Sequence, residues 1–226
     1  MVQLPDYWLP RPVGDPSPKL RAAFDAIWQL AVDQGGNPLI SDAIPGTKWE
    51  FLCHLADAHG LALHGSGDAN IAVFEPRQAT DLQEFGNRRA VYAAGDGIWA
   101  MFFAVVDRER IGSVTNACVR LADASGQVGA PHYLFSISRK ALPLRPWRTG
   151  TVYVMPGDTF EVQPPIPFGD YEARIPQLAS LVPVTPLARV SVEPEDFPFL
   201  ADIRGHDDER LAEYARALES GAPWPD

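Results

Sequence analysis

The chain has 226 residues, of which 46% are hydrophobic and 21% are charged, and its formal net charge is −10. This composition is typical of a globular protein that buries a core without structural metals or disulfides. The 18 glycines and 22 prolines predict many turns and argue against a fold made only of helices. The acidic excess repels the phosphates of nucleic acids and of anionic lipids, so we expect no bulk, non-specific binding to nucleic acid.

The longest apolar run covers residues 98–106 and is too short for a membrane span, which needs about 20 residues. The first twelve residues contain no basic region followed by an apolar stretch, so they do not resemble a secretory signal. We therefore expect a cytoplasmic protein without a membrane partner. Cys53 and Cys118 do not form a CxxC pair, and we expect both to be buried as small apolar side chains.

The first 60 residues predict an extended arm followed by two helices. Residues 1–16 contain four prolines, which favour an arm packed on the body of the protein. Ser17 is a typical helix N-cap, and the apolar spacing that follows it stops at a pair of glycines. Thr47 and Glu50 have the spacing of a capping box for a second helix, which stops at the next glycine. Residues 17–59 are thus the helical N-terminal part.

After residue 60 the pattern changes to short strands bounded by turn residues. The predicted strands cover residues 61–64, 90–94, 113–121, 132–138, 151–155 and 188–193. Residues 124–127 predict a hairpin connection, which makes part of the sheet antiparallel. Asp207 predicts the N-cap of a last helix over residues 207–219. We predict an α+β fold with one domain, residues 1–226, whose sheet-rich core covers residues 61–193.

One segment combines residue types that suit a ligand with hydroxyl and amide groups. In residues 63–67, with the sequence LHGSG, an imidazole lies beside the backbone amides of a Gly-Ser pair. The glycines allow a ligand to approach the backbone closely. Further along the chain, the sequence Phe-Gly-Asn at residues 85–87 precedes a predicted strand that contains Tyr92.

The order of these motifs resembles the ADP-ribosyltransferase superfamily, in particular the branch that includes diphtheria toxin and the poly(ADP-ribose) polymerases. The first motif of that branch is His-Gly-Ser or His-Gly-Thr, which residues 64–66 match. A Phe-Gly loop there leads into a strand with a tyrosine, and a second tyrosine follows eleven residues later; here Tyr92 is followed at that distance by Phe103. The resemblance covers residues 61–106. It implies an ADP-ribosyltransferase-like fold, in which two facing, mostly antiparallel sheets flanked by helices enclose a nucleotide cleft.

The resemblance also implies a role for each matching residue. His64 would hydrogen-bond the adenosine ribose of NAD, and Gly65 would hold the nicotinamide amide through its backbone. Ser66 would contact the nicotinamide ribose, and the rings of Tyr92 and Phe103 would stack on the nicotinamide. NAD is then a substrate. The expected reaction transfers ADP-ribose to an unidentified acceptor, which is a protein, a nucleic acid or a small molecule.

The catalytic glutamate of the family, which usually opens a late central strand, has no direct counterpart here. The predicted strand 151–155 follows Arg-Thr-Gly at residues 148–150, and Glu161 is the nearest carboxylate, so Glu161 is the candidate catalytic residue. One alternative is a degenerate member that only binds a nucleotide or a protein partner. Another is a relative of the RNA 2′-phosphotransferases of the same superfamily, which use NAD without that glutamate and rely on arginines. Arg77 and Arg120 are available for such a role.

Three histidines, His54, His59 and His64, recur every five residues. Gly60 interrupts the second predicted helix between them, so they cannot share one helical face. We therefore predict no metal site. Ser66 with His64 does not predict a hydrolase, because no nucleophile elbow surrounds the serine.

Overall fold

The computed structural model describes residues 4–12, 14–40, 43–79 and 84–225. In these residues the fold is α+β, with four α-helices and two mostly antiparallel sheets. This confirms the predicted class. The helices are α1 (Pro18–Gln34), α2 (Lys48–His59), α3 (Gly97–Val105) and α4 (Leu211–Ser220).

Fourteen strands make up the two sheets in the described residues. They are β1 (Leu9–Pro10), β2 (Leu39–Ile40), β3 (Ala62–Ser66), β4 (Arg77–Gln78), β5 (Arg89–Ala94), β6 (Val114–Ala122), β7 (His132–Ser138), β8 (Gly150–Met155), β9 (Glu161–Val162), β10 (Ile166–Phe168), β11 (Tyr171–Arg174), β12 (Gln177–Ser180), β13 (Ala188–Val192) and β14 (Arg204–His206). The larger sheet has the order β2-β13-β8-β3-β5-β12-β9, with β4 paired to β5. The smaller sheet has the order β1-β7-β6-β11-β10, with β14 paired to β7. The pairs β2–β13 and β7–β14 are parallel, and the other pairs are antiparallel.

Local capping signals determine where the first two helices begin. The side chain of Ser17 accepts a hydrogen bond from the backbone N–H of Leu20, and α1 begins at the next residue, a proline. Thr47 and Glu50 form both hydrogen bonds of a capping box at the start of α2. At the end of α2, Gly60 has a left-handed backbone with φ of 63°, which favours glycine. Both predicted helices are confirmed.

The six predicted strands are also confirmed, as β3, β5, β6, β7, β8 and β13. Strands β6 and β7 pair antiparallel, and their connection turns at Gly126, where φ is 82°. The last helix begins later than expected. Asp207 caps a short 3-10 turn over Asp208–Arg210, and α4 follows from Leu211. None of the helices in the described residues is long and apolar enough to cross a membrane.

Helix α3 lies between the two sheets and forms the centre of the core. Every residue of α3 except Phe103 is buried. On one side the helix packs on the larger sheet, where Gly65 of β3 and Gly150 of β8 face its backbone. On the other side Phe102 contacts Phe135 of β7, with ring centroids 4.7 Å apart. The apolar run of residues 98–106 is thus a core element, as predicted, and its conformation is helical.

The N-terminal arm is fixed to the body by a buried charge pair. One guanidinium nitrogen of Arg11 lies 2.6 Å from the carboxylate of Asp96, whose side chain is only 1% exposed. The same carboxylate caps α3 by accepting from the backbone N–H of Trp99. Tyr133 donates its hydroxyl proton to Asp96 over 2.8 Å, and burial raises the pKa of this tyrosine, so the donor stays protonated. Residues 4–12 of the arm are therefore packed on the body, as expected, and Tyr7 among them is fully buried. Residues 1–3 and 13 of the predicted arm lie outside the described residues.

We expect Arg11→Ala to lower the free energy of unfolding by about 3–5 kcal/mol, because it leaves the carboxylate of Asp96 buried without its charge partner. Arg120→Ala is the matched control. Arg120 pairs with Asp57, whose side chain is 41% exposed, and loss of a surface pair changes stability by at most about 1 kcal/mol. Urea denaturation followed by circular dichroism measures both variants. Equal losses for the two would contradict the buried pair as the anchor of the arm.

Candidate functional site

A cavity of about 350 Å³ opens beside strands β3 and β5 of the larger sheet. Its volume lies at the lower end of the range of small-molecule sites, about 300–1,000 Å³. The residues that line it are Leu63, His64, Gly65, Ser66, Gly67, Tyr92, Ala93, Ala94, Trp99, Ala100, Phe103, Arg108, Arg148 and Gln177. All five residues predicted to bind NAD, namely His64, Gly65, Ser66, Tyr92 and Phe103, are in this set.

The cavity lies where two neighbouring strands separate. Within the described residues, β3 and β5 share one ladder pair, Leu63 with Ala94. Beyond Leu63, strand β3 continues to pair with β8 as far as Ser66, while β5 pairs with β12 on its other edge. The segment from His64 onward therefore faces the cavity. The His-Gly-Ser motif and Tyr92 thus lie on adjacent strands and border one cavity.

The imidazole of His64 spans this split and has a defined tautomer. Its Nδ1 lies 2.7 Å from the backbone carbonyl oxygen of Tyr92, and a carbonyl only accepts, so Nδ1 carries the proton. Phe74 packs against the ring with centroids 4.6 Å apart. Burial lowers the pKa of His64 below its ordinary value, against the opposite effect of the hydrogen bond to Tyr92. Nε2 is thus an unprotonated acceptor at neutral pH, and it has no hydrogen-bond partner among the described residues.

Two glycines of the motif let other groups approach the backbone of β3. A Cβ at Gly65 would lie 2.0 Å from the carbonyl oxygen of Ala100 in α3. A Cβ at Gly67 would lie 2.0 Å from Cζ of Arg148, so the guanidinium rests on the backbone of Gly67. Gly65 therefore permits the close packing of α3, and Gly67 permits an arginine to enter the cavity.

The hydroxyl group of Ser66 can still bind a ligand, whereas that of Tyr92 already has hydrogen-bond partners in the protein. The Oγ of Ser66 accepts from the backbone N–H of Asp68, which leaves its proton free to be donated. The hydroxyl of Tyr92 accepts from the backbone N–H of Arg88 and lies 3.0 Å from the carbonyl oxygen of Phe85. Tyr92 therefore presents its ring, and not its hydroxyl, to the cavity.

One wall of the cavity is aromatic and comes from α3. Phe103 is the partly exposed residue of this helix, and its ring lies 6.2 Å from that of Trp99. The indole N–H of Trp99 donates to the side chain of Asn116 over 2.6 Å, which fixes the ring. Both rings border the cavity and give it an apolar surface on which a flat ligand can stack.

Three polar residues of the cavity were not predicted from the sequence: Arg108, Arg148 and Gln177. Arg108 is exposed and forms no ion pair with the described residues. Arg148 has only a loose ion pair, 3.7 Å from Asp107, so its charge is incompletely compensated. Arg148 lies two residues before β8, whose Thr151 pairs with Ser66, so its place at the cavity depends on a tertiary pairing that the sequence does not reveal. Together the two guanidiniums make the cavity attractive to anions.

The candidate catalytic residue Glu161 lies outside the lining of the cavity. It is in β9, opposite Ala179 of β12, which is opposite Tyr92 of β5. Opposite residues have their side chains on one face of a sheet, so Glu161 shares a face with Tyr92 at a separation of two strands, about 10 Å. Its carboxylate pairs with Arg88 at 2.9 Å, and its side chain is 57% exposed.

The other arginines considered from the sequence, Arg77 and Arg120, do not line the cavity either. Arg77 is exposed on β4, and Arg120 forms a surface ion pair with Asp57. Any anion-binding role at this site therefore falls to Arg108 and Arg148.

A second cavity, of about 600 Å³, lies between the end of α1 and residues 185–189. It contains none of the residues predicted to bind a nucleotide. Its charged residue, Arg189, donates a hydrogen bond to the backbone carbonyl of Asn37, so this guanidinium already has a partner. The smaller cavity is therefore the candidate site, because it combines ring surfaces, a neutral imidazole and incompletely paired cations.

Comparison of the chain with models of protein families, with curated proteins and with solved structures finds no match.

We expect Gly65→Ala to lower the free energy of unfolding by about 1–3 kcal/mol, because the added methyl group forces α3 away from β3. Gly129→Ala is the matched control. Its nearest contact would be an ordinary 3.5 Å, and we expect a change within about 0.5 kcal/mol. Chemical denaturation measures both. A Gly65→Ala variant as stable as the control would show that the helix does not need this close contact.

Proposed function

We propose that the cavity beside β3 and β5 binds NAD and that the protein is a divergent, ADP-ribosyltransferase-like member of that superfamily. One observation carries the proposal. The residues that the sequence resemblance assigns to NAD come from two strands and a helix, and all of them line a single cavity. Three separate parts of the sequence, residues 64–66, Tyr92 and Phe103, are therefore brought together, which supports a shared ligand.

The polar groups of the cavity are complementary to the parts of NAD. The unprotonated Nε2 of His64 can accept a proton from a ribose hydroxyl, and Ser66 can donate one to a ribose oxygen. The nicotinamide ring suits the aromatic surface of Tyr92 and Phe103. The negative pyrophosphate suits the guanidiniums of Arg108 and Arg148, which line the cavity. The volume of about 350 Å³ holds part of this dinucleotide, so the remainder would extend from the opening.

The reaction of such enzymes breaks the bond between nicotinamide and ribose through a transition state with positive charge on the ribose. A carboxylate near the ribose normally stabilises that charge. Among the lining residues, all of which lie in the described part of the chain, none is Asp or Glu. The proposal is therefore NAD binding, and it does not assign the catalytic role to Glu161.

Two features of the lining residues favour a second candidate function. None of these residues is Asp or Glu, and two of them are arginines. RNA 2′-phosphotransferases of this superfamily use NAD without the glutamate and rely on arginines. Arg108 and Arg148 line the cavity, and guanidiniums suit the phosphate of such an acceptor. In this case the acceptor is a phosphorylated RNA end, and the protein binds it locally in spite of its net negative charge.

We expect His64→Ala to weaken NAD binding by at least about tenfold, because it removes the acceptor for a ribose hydroxyl in a partly buried site. Isothermal titration calorimetry with NAD measures the dissociation constant. His132→Ala is the matched control, since His132 lies on β7 outside the cavity and should leave binding unchanged. Absence of NAD binding in the parent protein, or equal affinity of the parent and His64→Ala, would overturn the proposal.

We expect Glu161→Gln to leave NAD affinity unchanged and nicotinamide release within about threefold of the parent, because its carboxylate pairs with Arg88 outside the cavity. Chromatographic measurement of nicotinamide, with and without a 2′-phosphorylated RNA, tests this. A loss of about 10²- to 10³-fold in Glu161→Gln would instead identify Glu161 as the catalytic carboxylate for cleavage of the bond between nicotinamide and ribose. Release that depends on the phosphorylated RNA would favour the second candidate function.

A further inference from the structure

A cluster of one carboxylate and two imidazoles lies on the helical side of the molecule, outside the nucleotide cavity. Nε2 of His54 lies 2.7 Å from Oδ1 of Asp25, and Nε2 of His59 lies 2.8 Å from the same oxygen. The two histidines come from α2, whereas Asp25 comes from α1. His64, the third histidine considered from the sequence, is not in this cluster. The prediction of no metal site considered the three histidines together and did not include Asp25, which brings His54 and His59 to one carboxylate.

The three side chains converge on one point. Their ligand atoms all lie within 4.8 Å of one another. The centroids of the two imidazole rings are 5.5 Å apart, and the ring planes are nearly perpendicular, at 78°. In a tetrahedral zinc site with bonds of about 2.0–2.2 Å, neighbouring ligand atoms are about 3.3 Å apart. The two nitrogen–oxygen distances, 2.7 and 2.8 Å, would lengthen by about half an ångström to reach this spacing, and the two nitrogens lie within 4.8 Å of each other.

The surroundings provide both support and access. The side chain of His54 is 7% exposed and packs against Phe24, with ring centroids 5.6 Å apart, which restricts its rotation. The side chains of His59 and Asp25 are 32% and 51% exposed. The cluster thus has an apolar floor and an open side, through which an ion can enter and a water molecule can complete the coordination.

We propose that Asp25, His54 and His59 form a binding site for one Zn²⁺ ion. Two imidazole nitrogens and one carboxylate oxygen are a donor set that zinc prefers, whereas Mg²⁺ and Ca²⁺ prefer oxygen ligands only. With three protein ligands the ion keeps an open position for water. The site would link the last residue of α2 to the middle of α1. It is independent of the nucleotide cavity and of its function.

The alternative is that the two histidines form hydrogen bonds to Asp25 and only connect the helices. The affinity of the protein for added Zn²⁺ separates the two cases. A metal site binds zinc through these three side chains, whereas a hydrogen-bonded link between helices does not. Isothermal titration calorimetry of the protein without a histidine tag, titrated with ZnCl₂ and in parallel with MgCl₂, tests this. Elemental analysis of the dialysed complex gives the stoichiometry.

His54 packs in the core, so its substitution risks loss of folding, and the exposed ligands are better targets. His59→Gln and Asp25→Asn each remove a ligand at the surface, and His132→Gln removes a histidine elsewhere. We expect one Zn²⁺ per chain, no measurable Mg²⁺ binding, and an affinity at least about tenfold weaker in the two cluster variants than in the parent and in His132→Gln.

Two results would overturn the proposal. One is the absence of saturable zinc binding by the parent protein, which would leave the cluster as a hydrogen-bonded link between helices. The other is zinc binding of equal affinity in the parent, His59→Gln and Asp25→Asn, which would place the ion elsewhere. Neither result affects the NAD titration, because His64 and the cavity are not part of this cluster.

Discussion

The direct packing of α3 on the backbone of β3 and β8 is the constraint on which the rest of the structure depends. A Cβ at Gly65 would lie 2.0 Å from the carbonyl oxygen of Ala100, and one at Gly150 would lie 2.1 Å from that of Ala104. The two glycines and two alanines therefore allow a helix to lie between the sheets. The N-terminal end of α3 is then buried as well, and its backbone N–H groups need an acceptor. The carboxylate of Asp96 accepts from the N–H of Trp99, and Arg11 of the N-terminal arm balances its negative charge.

The position of α3 also determines the cavity. Because the helix lies against β3, its Trp99 and Phe103 form a wall beside the split between β3 and β5. The opposite side comes from the strands themselves, with His64 bonded across the split to the backbone of Tyr92. The chain segment between α3 and β8 supplies the cations, and Arg148 reaches the site over a glycine. The stacking surface, the hydrogen-bonding groups and the positive charge thus meet at one place because one helix is packed tightly.

Much of the fold could be predicted because its signals are local. The caps at Ser17 and Thr47 and the alternating strands depend on residues close in sequence, and the structure has them where the pattern indicates. The helical conformation of α3 could not be predicted in this way. Its residues are almost all apolar, and the periodicity of apolar residues does not separate a buried helix from a buried strand. The remaining site residues depend on tertiary pairing. Arg148 reaches the cavity because β8 lies beside β3, and Asp25 meets two histidines from another helix.

The central claim is that the split between β3 and β5 binds NAD, and the crystal structure of the protein grown with NAD tests it most directly. The account predicts density for the nicotinamide end of the molecule between Tyr92 and Phe103, with a ribose hydroxyl within hydrogen-bond distance of Nε2 of His64 and a phosphate beside Arg148. Density for NAD in the larger cavity near Asn37, or an empty split in crystals that contain saturating NAD, would contradict it.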